Sequence, residues 1–306
     1  MSLKHWVLRS PQLLTSAEFR REQKSKRTWP IFEWAHPHVS LFGVEDEGLT
    51  ILTFAKDRSV TRSLLATGAF QKEQLLACVA LLEKEGCRTG GYFLDVGANI
   101  GTHTMYAMQS KAFPRALSIE PEPNNFRLLR ANAFLNGWEA EVKAVNAAVG
   151  AEEAILSLEL CADNVGDHRV RAEGAAVGGD FGAEEERQSI SVRVSALDSI
   201  IREAGIAVEE ISLVWVDTQG FEGFVLQGAK EILGAGVPFH MEIWPHALRR
   251  AGSSEVLLSL LEANFTRFYD TASGAAELSQ PIAEVRGLFA RLGETDSGQT
   301  DILAFR

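Results

Sequence analysis

Short apolar runs alternate with segments of helical periodicity from Tyr92 onward, and this alternation constrains the fold more than any other feature of the chain. The first run, 92–97, ends at a glycine and is followed by a helical pattern over 102–110. Apolar strands that alternate with helices are typical of a parallel sheet covered by helices on both faces. The sequence therefore predicts an α/β fold. Further strands are predicted at 116–120, 141–146, 211–217, 237–244 and 265–269, and further helices at 125–136, 222–233 and 255–263.

The length of 306 residues is enough for one large domain or two small ones. Residues 1–45 are rich in basic and aromatic side chains and contain three prolines, so we expect them to be irregular. A short strand is predicted at 50–55 and a helix over 71–84. We accordingly divide the chain into an N-terminal extension at 1–54 and one α/β domain at 55–306.

An acidic, glycine-rich stretch at 161–189 interrupts the alternation. Two β-like segments, 154–160 and 190–195, enclose it, and residues 151–190 hold ten acidic residues and three arginines. A loop this long is usually functional or disordered. We expect either a mobile acidic loop or a substrate lid.

The charge of the chain is −11, from 30 Lys and Arg against 41 Asp and Glu. A chain this acidic repels phosphate backbones, so we expect no nucleic-acid partner. Basic residues concentrate in the first 30 residues, where seven Lys and Arg face two Glu. That segment is either a solvated terminus or a binding arm.

The three cysteines have no metal-like spacing, which suits a reducing compartment. No apolar run reaches the roughly 18 residues that span a bilayer. The first residues also lack the pattern of a secretory signal. The sequence therefore predicts a cytoplasmic protein without a membrane span.

The strongest local motif is DVGANIG at 95–101, between the first predicted strand and its helix. Glycines there allow a sharp turn and a close approach to a ligand, and the helix N-terminus presents unpaired N–H groups. The spacing differs from the GxGxxG of dinucleotide sites, and an acid precedes the first glycine. Such an acid suits a cofactor with a cationic end, and S-adenosylmethionine fits that description. The predicted cofactor contacts in this motif are Asp95, Gly97, Ala98, Asn99 and Gly101.

The ends of the next two strands complete the predicted cofactor site. Glu120 lies where a carboxylate accepts hydrogen bonds from ribose hydroxyls in nucleoside-binding α/β folds, although it is alternatively an ordinary surface glutamate. Pro121 follows it, and Asn146 and Ala147 end the third strand, where the loop can lie against adenine.

A second motif, VDTQGFE at 216–222, places Asp217 at the carboxyl end of an apolar strand, where ligands bind in open α/β sheets. Asp217 is a candidate to orient or deprotonate an acceptor hydroxyl, or alternatively an N-cap-like residue for the following helix. Glu222 falls in the first helical turn, where the helix dipole favours an acid regardless of function. Glu242 on the next strand and His103 are the other predicted catalytic residues.

Metal binding by this region is not predicted. His240 and Glu242 point to the same face of their strand, and with His246 and Asp217 they could bind a metal. The spacing is unspecific, so we expect no metal.

Together these motifs resemble the FkbM-type family of S-adenosylmethionine-dependent methyltransferases. The similarity covers roughly residues 55–306, and the ordered combination is more specific than any single motif. It includes a lead-in segment with Asp57, Gly68 and Glu73. The segments that carry it are DVGANIG (95–101), IEPEPNNFRLLRANAFLNG (119–137), NAAVG (146–150), LDSII (197–201), VDTQGFEGFVLQGA (216–229) and TDILAF (300–305).

The resemblance implies a class I methyltransferase, Rossmann-like fold: a seven-stranded, mostly parallel sheet whose last strand, 300–305, is antiparallel. It also implies that 55–306 is a methyltransferase domain, that the 95–101 motif and Glu120 bind the cofactor, and that Asp217 lies at the active-site rim. The commonest family form has a lysine two residues before the aspartate and a glutamate two residues after it. Here these positions hold Trp215 and Gln219, so this chain lacks both the positive charge of the lysine and the negative charge of the glutamate.

We therefore expect an O-methyltransferase that acts on a hydroxyl of a sugar, glycan or natural product, with Asp217 assisting and no metal required. One alternative is N- or nucleic-acid methylation, which the basic first 30 residues favour and the acidic remainder disfavours. Another is a non-catalytic module that binds an adenosine cofactor.

Overall fold

The apolar runs predicted as strands form one sheet of eight strands in the computed structural model. In spatial order they are β13 (Gln280–Pro281), β12 (Arg267–Asp270), β14 (Thr300–Phe305), β11 (Phe239–Ile243), β10 (Ile211–Val216), β3 (Tyr92–Val96), β4 (Arg115–Ile119) and β5 (Val142–Val145). Strand β14 runs antiparallel to both of its neighbours, and the other long strands are parallel to one another. The predicted sheet with an antiparallel last strand is confirmed, and the two-residue β13 adds an eighth strand at the edge.

The structure describes residues 30, 32–35, 37–162, 164–171, 187–272 and 278–306. The basic segment at the start and much of the acidic stretch at 161–189 therefore lie outside the described residues. The chain divides into two units, one of residues 1–70 with 162–166 and one of residues 71–161 with 167–306.

Nine α-helices in the described part of the larger unit flank and connect its strands. They are α2 (Lys72–Lys84), α3 (Thr102–Ser110), α4 (Pro123–Leu135), α5 (Leu197–Glu203), α6 (Glu222–Gln227), α7 (Lys230–Gly234), α8 (Pro245–Ala251), α9 (Ser254–Asn264) and α10 (Val285–Leu292). Short 3₁₀ turns precede β10 and α10, at Val208–Glu210 and Ile282–Glu284. None of the helices in the described ranges is long and apolar enough to cross a bilayer.

The two faces of the main sheet differ in character. Successive side chains of a strand point to opposite faces. On one face, Tyr92, Leu94 and Val96 of β3 join the main hydrophobic core cluster, together with apolar residues of α5 to α10. On the other face, Phe93 packs on Phe113, and polar side chains follow it toward the carboxyl end of the strand. The chemistry-bearing residues lie on this second face.

The single helix predicted at 222–233 is wrong, because the chain breaks it into α6 and α7 at Gly228. A Cβ on Gly228 would lie 2.0 Å from the carbonyl oxygen of Gly150, so the backbones touch here. Asp198 then accepts hydrogen bonds from the N–H groups of Glu231 (2.9 Å) and Ile232 (3.4 Å) and starts the second helix. The aspartate of the LDSII motif therefore has a structural role.

The β-like segments predicted at 154–160 and 190–195 form a separate four-stranded sheet. Its spatial order is β6 (Ala148–Val149), β9 (Ser189–Ser195), β7 (Ala154–Glu159) and β8 (Arg169–Arg171). Strand β7 pairs antiparallel with both β9 and β8. A small apolar cluster around Leu158, Val192 and Val194 packs this sheet.

The smaller unit contains a β-hairpin of β1 (Leu41–Asp46) and β2 (Leu49–Phe54), followed by α1 (Val60–Thr67). The expectation that residues up to 45 are irregular is wrong for β1. Glu47 and Gly48 both have positive φ (49° and 82°), as a two-residue hairpin turn requires. The sequence pair Glu-Gly is a weak turn signal, so the sequence does not predict the first strand.

We expect Gly228→Ala to destabilise the fold by about 1–3 kcal/mol, because its methyl group would overlap the Gly150 carbonyl. The matched control is Gly234→Ala in α7, where a Cβ meets nothing within 4 Å. There alanine should be neutral or stabilise by up to about 1 kcal/mol. Urea unfolding of both variants checks this, and equal effects would contradict it.

Candidate functional site

The loop after β3 brings the ends of two strands into direct contact. Gly97 has φ 84°, and a Cβ on it would lie 1.9 Å from the carbonyl oxygen of Asp217. The Asp217 N–H in turn donates to the carbonyl of Val96 at 3.0 Å. Any side chain at position 97 would therefore separate the 95–101 loop from the end of β10.

The second half of the loop is fixed by α4. Gly101 has φ 85°, and a Cβ on it would lie 3.1 Å from Cγ of Leu129. The Asn132 side chain donates to the carbonyl of Ile100 at 2.8 Å. Between these contacts Asn99 adopts φ 52°, a conformation that asparagine tolerates better than most residues.

Glu120 joins the loops that follow β3 and β4. Its two carboxylate oxygens accept hydrogen bonds from the N–H groups of Asn99 and Glu122, each at 2.8 Å. Burial, together with the charges of Glu122 and Asp95, raises the pKa of Glu120 to about 8. The carboxyl therefore holds a proton in neutral solution in the isolated chain.

Asn146 ties the loop after β5 to the same place. Its side-chain NH₂ donates to the carbonyls of Glu120 (2.8 Å) and Pro121 (3.0 Å). Ala147, the next residue, is buried. The structure thus brings together the three strand ends at which the sequence predicted cofactor contacts.

Asp95 lies beneath the glycine loop and is 1% exposed. Its Oδ2 accepts a hydrogen bond from the Thr104 hydroxyl at 2.5 Å, but its Oδ1 has no partner among the described residues. Oδ1 of Asn99 is likewise buried and without a partner within that part of the chain. Burial raises the pKa of Asp95 to about 7. Two polar oxygens close to one loop therefore lack a hydrogen-bond donor.

Asp217 and Glu242 are joined by the amide of Gln219. The Gln219 Nε2 donates to Oδ1 of Asp217 at 2.7 Å and lies 3.4 Å from Oε2 of Glu242. Burial raises the pKa of both carboxyls, and for Glu242 the charge of Asp217 adds to the effect. These two predicted catalytic residues therefore form one group.

Glu222 fixes the loop that carries Gln219. Its carboxylate accepts from the N–H of Thr218 (2.9 Å), from the Thr218 hydroxyl (3.0 Å) and from the N–H of Gly220 (3.0 Å). Burial raises its pKa to about 7. Its role in this loop is therefore more specific than the favourable helix dipole.

His103 is not part of the Asp217 group. Its Nε2 lies 3.0 Å from Oε1 of Gln71, and its ring packs 4.7 Å from the ring of Trp215. The ring of His240 also stacks on Trp215, with 3.5 Å between the ring centroids, and its Nε2 lies 3.1 Å from the Thr271 hydroxyl. Burial lowers the pKa of His103 to about 4, so this imidazole is neutral at physiological pH.

The histidines considered for a metal are spread apart. His246 lies 3.4 Å from Asp296, whereas His240 is held between Trp215 and Thr271. Across the described ranges, no group of three or more His, Cys, Asp or Glu side chains has the geometry to hold a metal ion.

Two further members of the site, Asp301 and the bridging Gln219, are not among the predicted catalytic residues. Asp301 pairs with Glu242 across β14 and β11, and burial raises its pKa to about 7. The position of an acid at the start of the predicted last strand was a usable signal, because an antiparallel partner beside β11 brings it to the same edge. The sequence singles out Gln219 only as a departure from the family's glutamate, and the bridge that it makes depends on folding.

Comparison with known proteins finds the family model of the Methyltransferase FkbM domain over residues 95–274. Methyltransferase sdnD of Sordaria araneosa is 26% identical over 157 residues, which are 46% of this chain. The chain spans 61% of the length of that relative.

Solved methyltransferase structures are similar to this chain at low identity, among them the following two. The Methyltransferase FkbM structure from Methylobacillus flagellatus KT has a TM-score of 0.42 and 12% identity, over 92% of this chain and 59% of that one. The O-methyltransferase structure from Bacillus cereus in complex with SAH has a TM-score of 0.43 and 11% identity, over 91% and 98%.

The raised carboxyl pKa values make stability depend on pH. In the folded chain the pKa of Glu120 is about 8 and that of Asp95 about 7, whereas their ordinary values are 4.5 and 3.8. The unfolded state binds fewer protons, so raising the pH favours unfolding. We expect the free energy of unfolding to fall between about pH 5 and about pH 8 and to level off above that, as measured by urea titration.

Glu120→Gln should reduce this fall, because it removes a buried carboxyl whose pKa is raised to about 8. The control is Glu231→Gln, at an exposed glutamate of α7, which should keep the slope of the unaltered chain. A Glu120→Gln variant with the full slope would contradict the assignment.

Proposed function

We propose that this chain, which belongs to the Methyltransferase FkbM domain family, is an S-adenosylmethionine-dependent methyltransferase that methylates a hydroxyl group. The family match covers residues 95–274, more than half of the chain, and begins at Asp95. The SAH complex of the similar Bacillus cereus O-methyltransferase is consistent with this cofactor class.

The observation that carries the proposal is the buried Oδ1 of Asp95, which has no partner among the described residues. A buried carboxylate oxygen without a donor is costly unless a ligand satisfies it. A ligand with a cationic end satisfies both its hydrogen bonding and its charge. The Asp95 carboxyl and the loop around Asn99 therefore fit the cationic end of S-adenosylmethionine.

The rest of the cofactor site follows from the three joined strand ends. Glu120 faces the loop from β4 and would accept hydrogen bonds from ribose hydroxyls through its remaining lone pairs. Gly97, Ala98 and Gly101 shape the backbone beside it. Pro121, Asn146 and Ala147 would line the adenine side.

When bound, the cofactor supplies an electrophilic methyl group on a sulfonium, which leaves as a neutral thioether. Asp217 would take the proton of the acceptor hydroxyl as the acceptor oxygen bonds to the methyl carbon. A carboxylate with a raised pKa is a stronger base than an exposed one, and burial gives Asp217 this property. Glu242 would contact the same acceptor from the neighbouring strand.

His103 has a supporting role in this proposal. Its Nε2 lies against Gln71, and its ring supports Trp215, two residues before Asp217 on β10. It therefore orients the strand that carries the base and does not itself take the proton.

Asp95→Asn should weaken binding of S-adenosylmethionine by about tenfold or more, because a charge-assisted contact contributes about 1.5–3 kcal/mol. The control ligand is 5′-methylthioadenosine, which lacks the cationic end and should bind both forms within threefold. Titration calorimetry measures both. Equal losses for the two ligands would contradict the proposed role of Asp95.

Turnover is tested by S-adenosylhomocysteine formation over a panel of sugar, glycan and natural-product acceptors. Asp217→Asn should lower kcat by about 10²–10⁴-fold, the usual contribution of a general base, with cofactor affinity unchanged. Asp296→Asn, at a side chain that is 96% exposed, is the control and should keep full activity.

Three outcomes would contradict the proposal. Methylation of amines in place of hydroxyls would overturn the O-directed part. Cofactor binding without turnover across the panel would favour a non-catalytic module. Salt-sensitive RNA binding that is lost on deletion of residues 1–30 would favour a nucleic-acid substrate.

A further inference from the structure

Gln219 is held in an unusual backbone conformation. Its φ is 55°, a region that long side chains rarely occupy. Its carbonyl accepts from Nη2 of Arg250 at 3.3 Å, and the next residue, Gly220, is held by the Glu222 carboxylate at 3.0 Å. A Cβ on Gly220 would lie 2.5 Å from the Ala247 carbonyl, so this loop has no room to relax. Strain that the surroundings maintain is concentrated at functional sites.

In this backbone conformation the side chain of Gln219 reaches two carboxyls. It places one amide nitrogen 2.7 Å from Asp217 and 3.4 Å from Glu242, two carboxyls on neighbouring strand ends. Two carboxylates that share one donor in a desolvated site cannot both ionise easily, and here Glu242 is buried and Asp217 half-buried. An amide NH₂ has two hydrogens and no charge, so it can donate to both carboxyls and leave one proton between them.

We infer that Gln219 is a positioning residue that holds Asp217 and Glu242 as one proton-sharing pair, with Asp217 as the base and Glu242 as its protonated partner. This inference rests on the proposed function for the use of the pair, but the pair itself is a property of the isolated chain.

The assignment of the two roles follows from the hydrogen-bond lengths. The shorter bond from Gln219 goes to Asp217 and favours its ionised form, which opposes the effect of burial on the Asp217 pKa. The pKa of Glu242 is raised well above its ordinary value by burial and then by the charge of Asp217. The proton is therefore retained on Glu242.

Charged groups of both signs lie around the pair. Glu222 on α6, Asp301 on β14 and Asp167 before β8 raise the pKa of Glu242, and the charge of Asp217 raises the pKa of Asp95 on β3. Arg169 and Arg187 pair with Asp167, and Arg250 on α8 donates to the backbone carbonyl of Gln219. The neutral amide of Gln219 is the group that lies within hydrogen-bond distance of both members of the pair.

The test uses Gln219→Met, which keeps the length of the side chain and removes the donor. Infrared spectra of the full chain without ligand, recorded from pH 4 to 10, follow the C=O stretch of protonated carboxyls. Asp217→Asn and Glu242→Gln assign the two bands. Gln219→Met should move the Asp217 midpoint upward by about one pH unit, since one unit corresponds to about 1.4 kcal/mol of lost interaction with the charged form. Gln227→Met, at an exposed glutamine of α6, should leave it unchanged.

A second variant separates the side chain from the backbone. Gln219→Asn suits the positive φ better than glutamine but is too short to bridge the pair. It should show the same upward shift with unchanged unfolding midpoints. If Gln219→Met fails to fold, Gln219→Asn decides, and an unshifted Asp217 band in a folded variant overturns the inference.

The pH dependence of kcat distinguishes a positioning role of Gln219 from a purely structural one. In Gln219→Met the acid limb of the kcat–pH profile should shift by the same amount as the infrared midpoint, with kcat recovered to within threefold at high pH. A uniform loss at every pH would overturn the positioning role. If the infrared midpoint shifts but the chain turns over no acceptor, the inferred pair is supported and the proposed function is contradicted.

Discussion

The contact between Gly97 and the Asp217 carbonyl is the constraint on which the site depends. Because residue 97 is a glycine, the loop after β3 can touch the end of β10. A Cβ at this position would lie 1.9 Å from the Asp217 carbonyl oxygen. The loop carries the proposed cofactor contacts, and Asp217 carries the proposed base. Their separation is therefore set by backbone packing, which is stiff, and not by flexible side chains. Proximity of this kind is what positions two reactants for transfer.

The second general property of the site is that it contains several acidic side chains with raised pKa values. Asp95, Glu120, Glu222 and Asp301 all have raised pKa values, and burial is the first cause in each case. Burial costs a protonated carboxyl less than an ionised one, which is why the pKa values of these groups are raised. It also leaves the site ready to accept positive charge from a ligand, because a nearby cation would favour loss of those protons. The same feature accounts for the expected pH dependence of stability and for the fit of a cationic cofactor.

The sequence predicts the sheet well and the details of the site less well, for physical reasons. Apolar runs such as 92–97 and 211–217 are buried on both faces, so composition alone identifies them. The strand-end location of Asp217 follows from the order of strands and helices, because ligands bind at the carboxyl ends of strands in open α/β sheets. By contrast, the break at Gly228 depends on Gly150, far away in the chain. The bridge made by Gln219 depends on two carboxyls brought together by folding.

Trp215 and Gln219 are best understood together. Trp215 pairs with Asp95 across β3 and β10, so a lysine at this position would place a cation beside the buried acids. Trp215 is instead 2% exposed and packs against His103 and His240. It carries no charge, so burial dominates the pKa values of these acids. A glutamate at 219 would then add a further negative charge between Asp217 and Glu242 with nothing to balance it. A neutral donor is the residue type that fits, and so the loss of the lysine requires the loss of the glutamate.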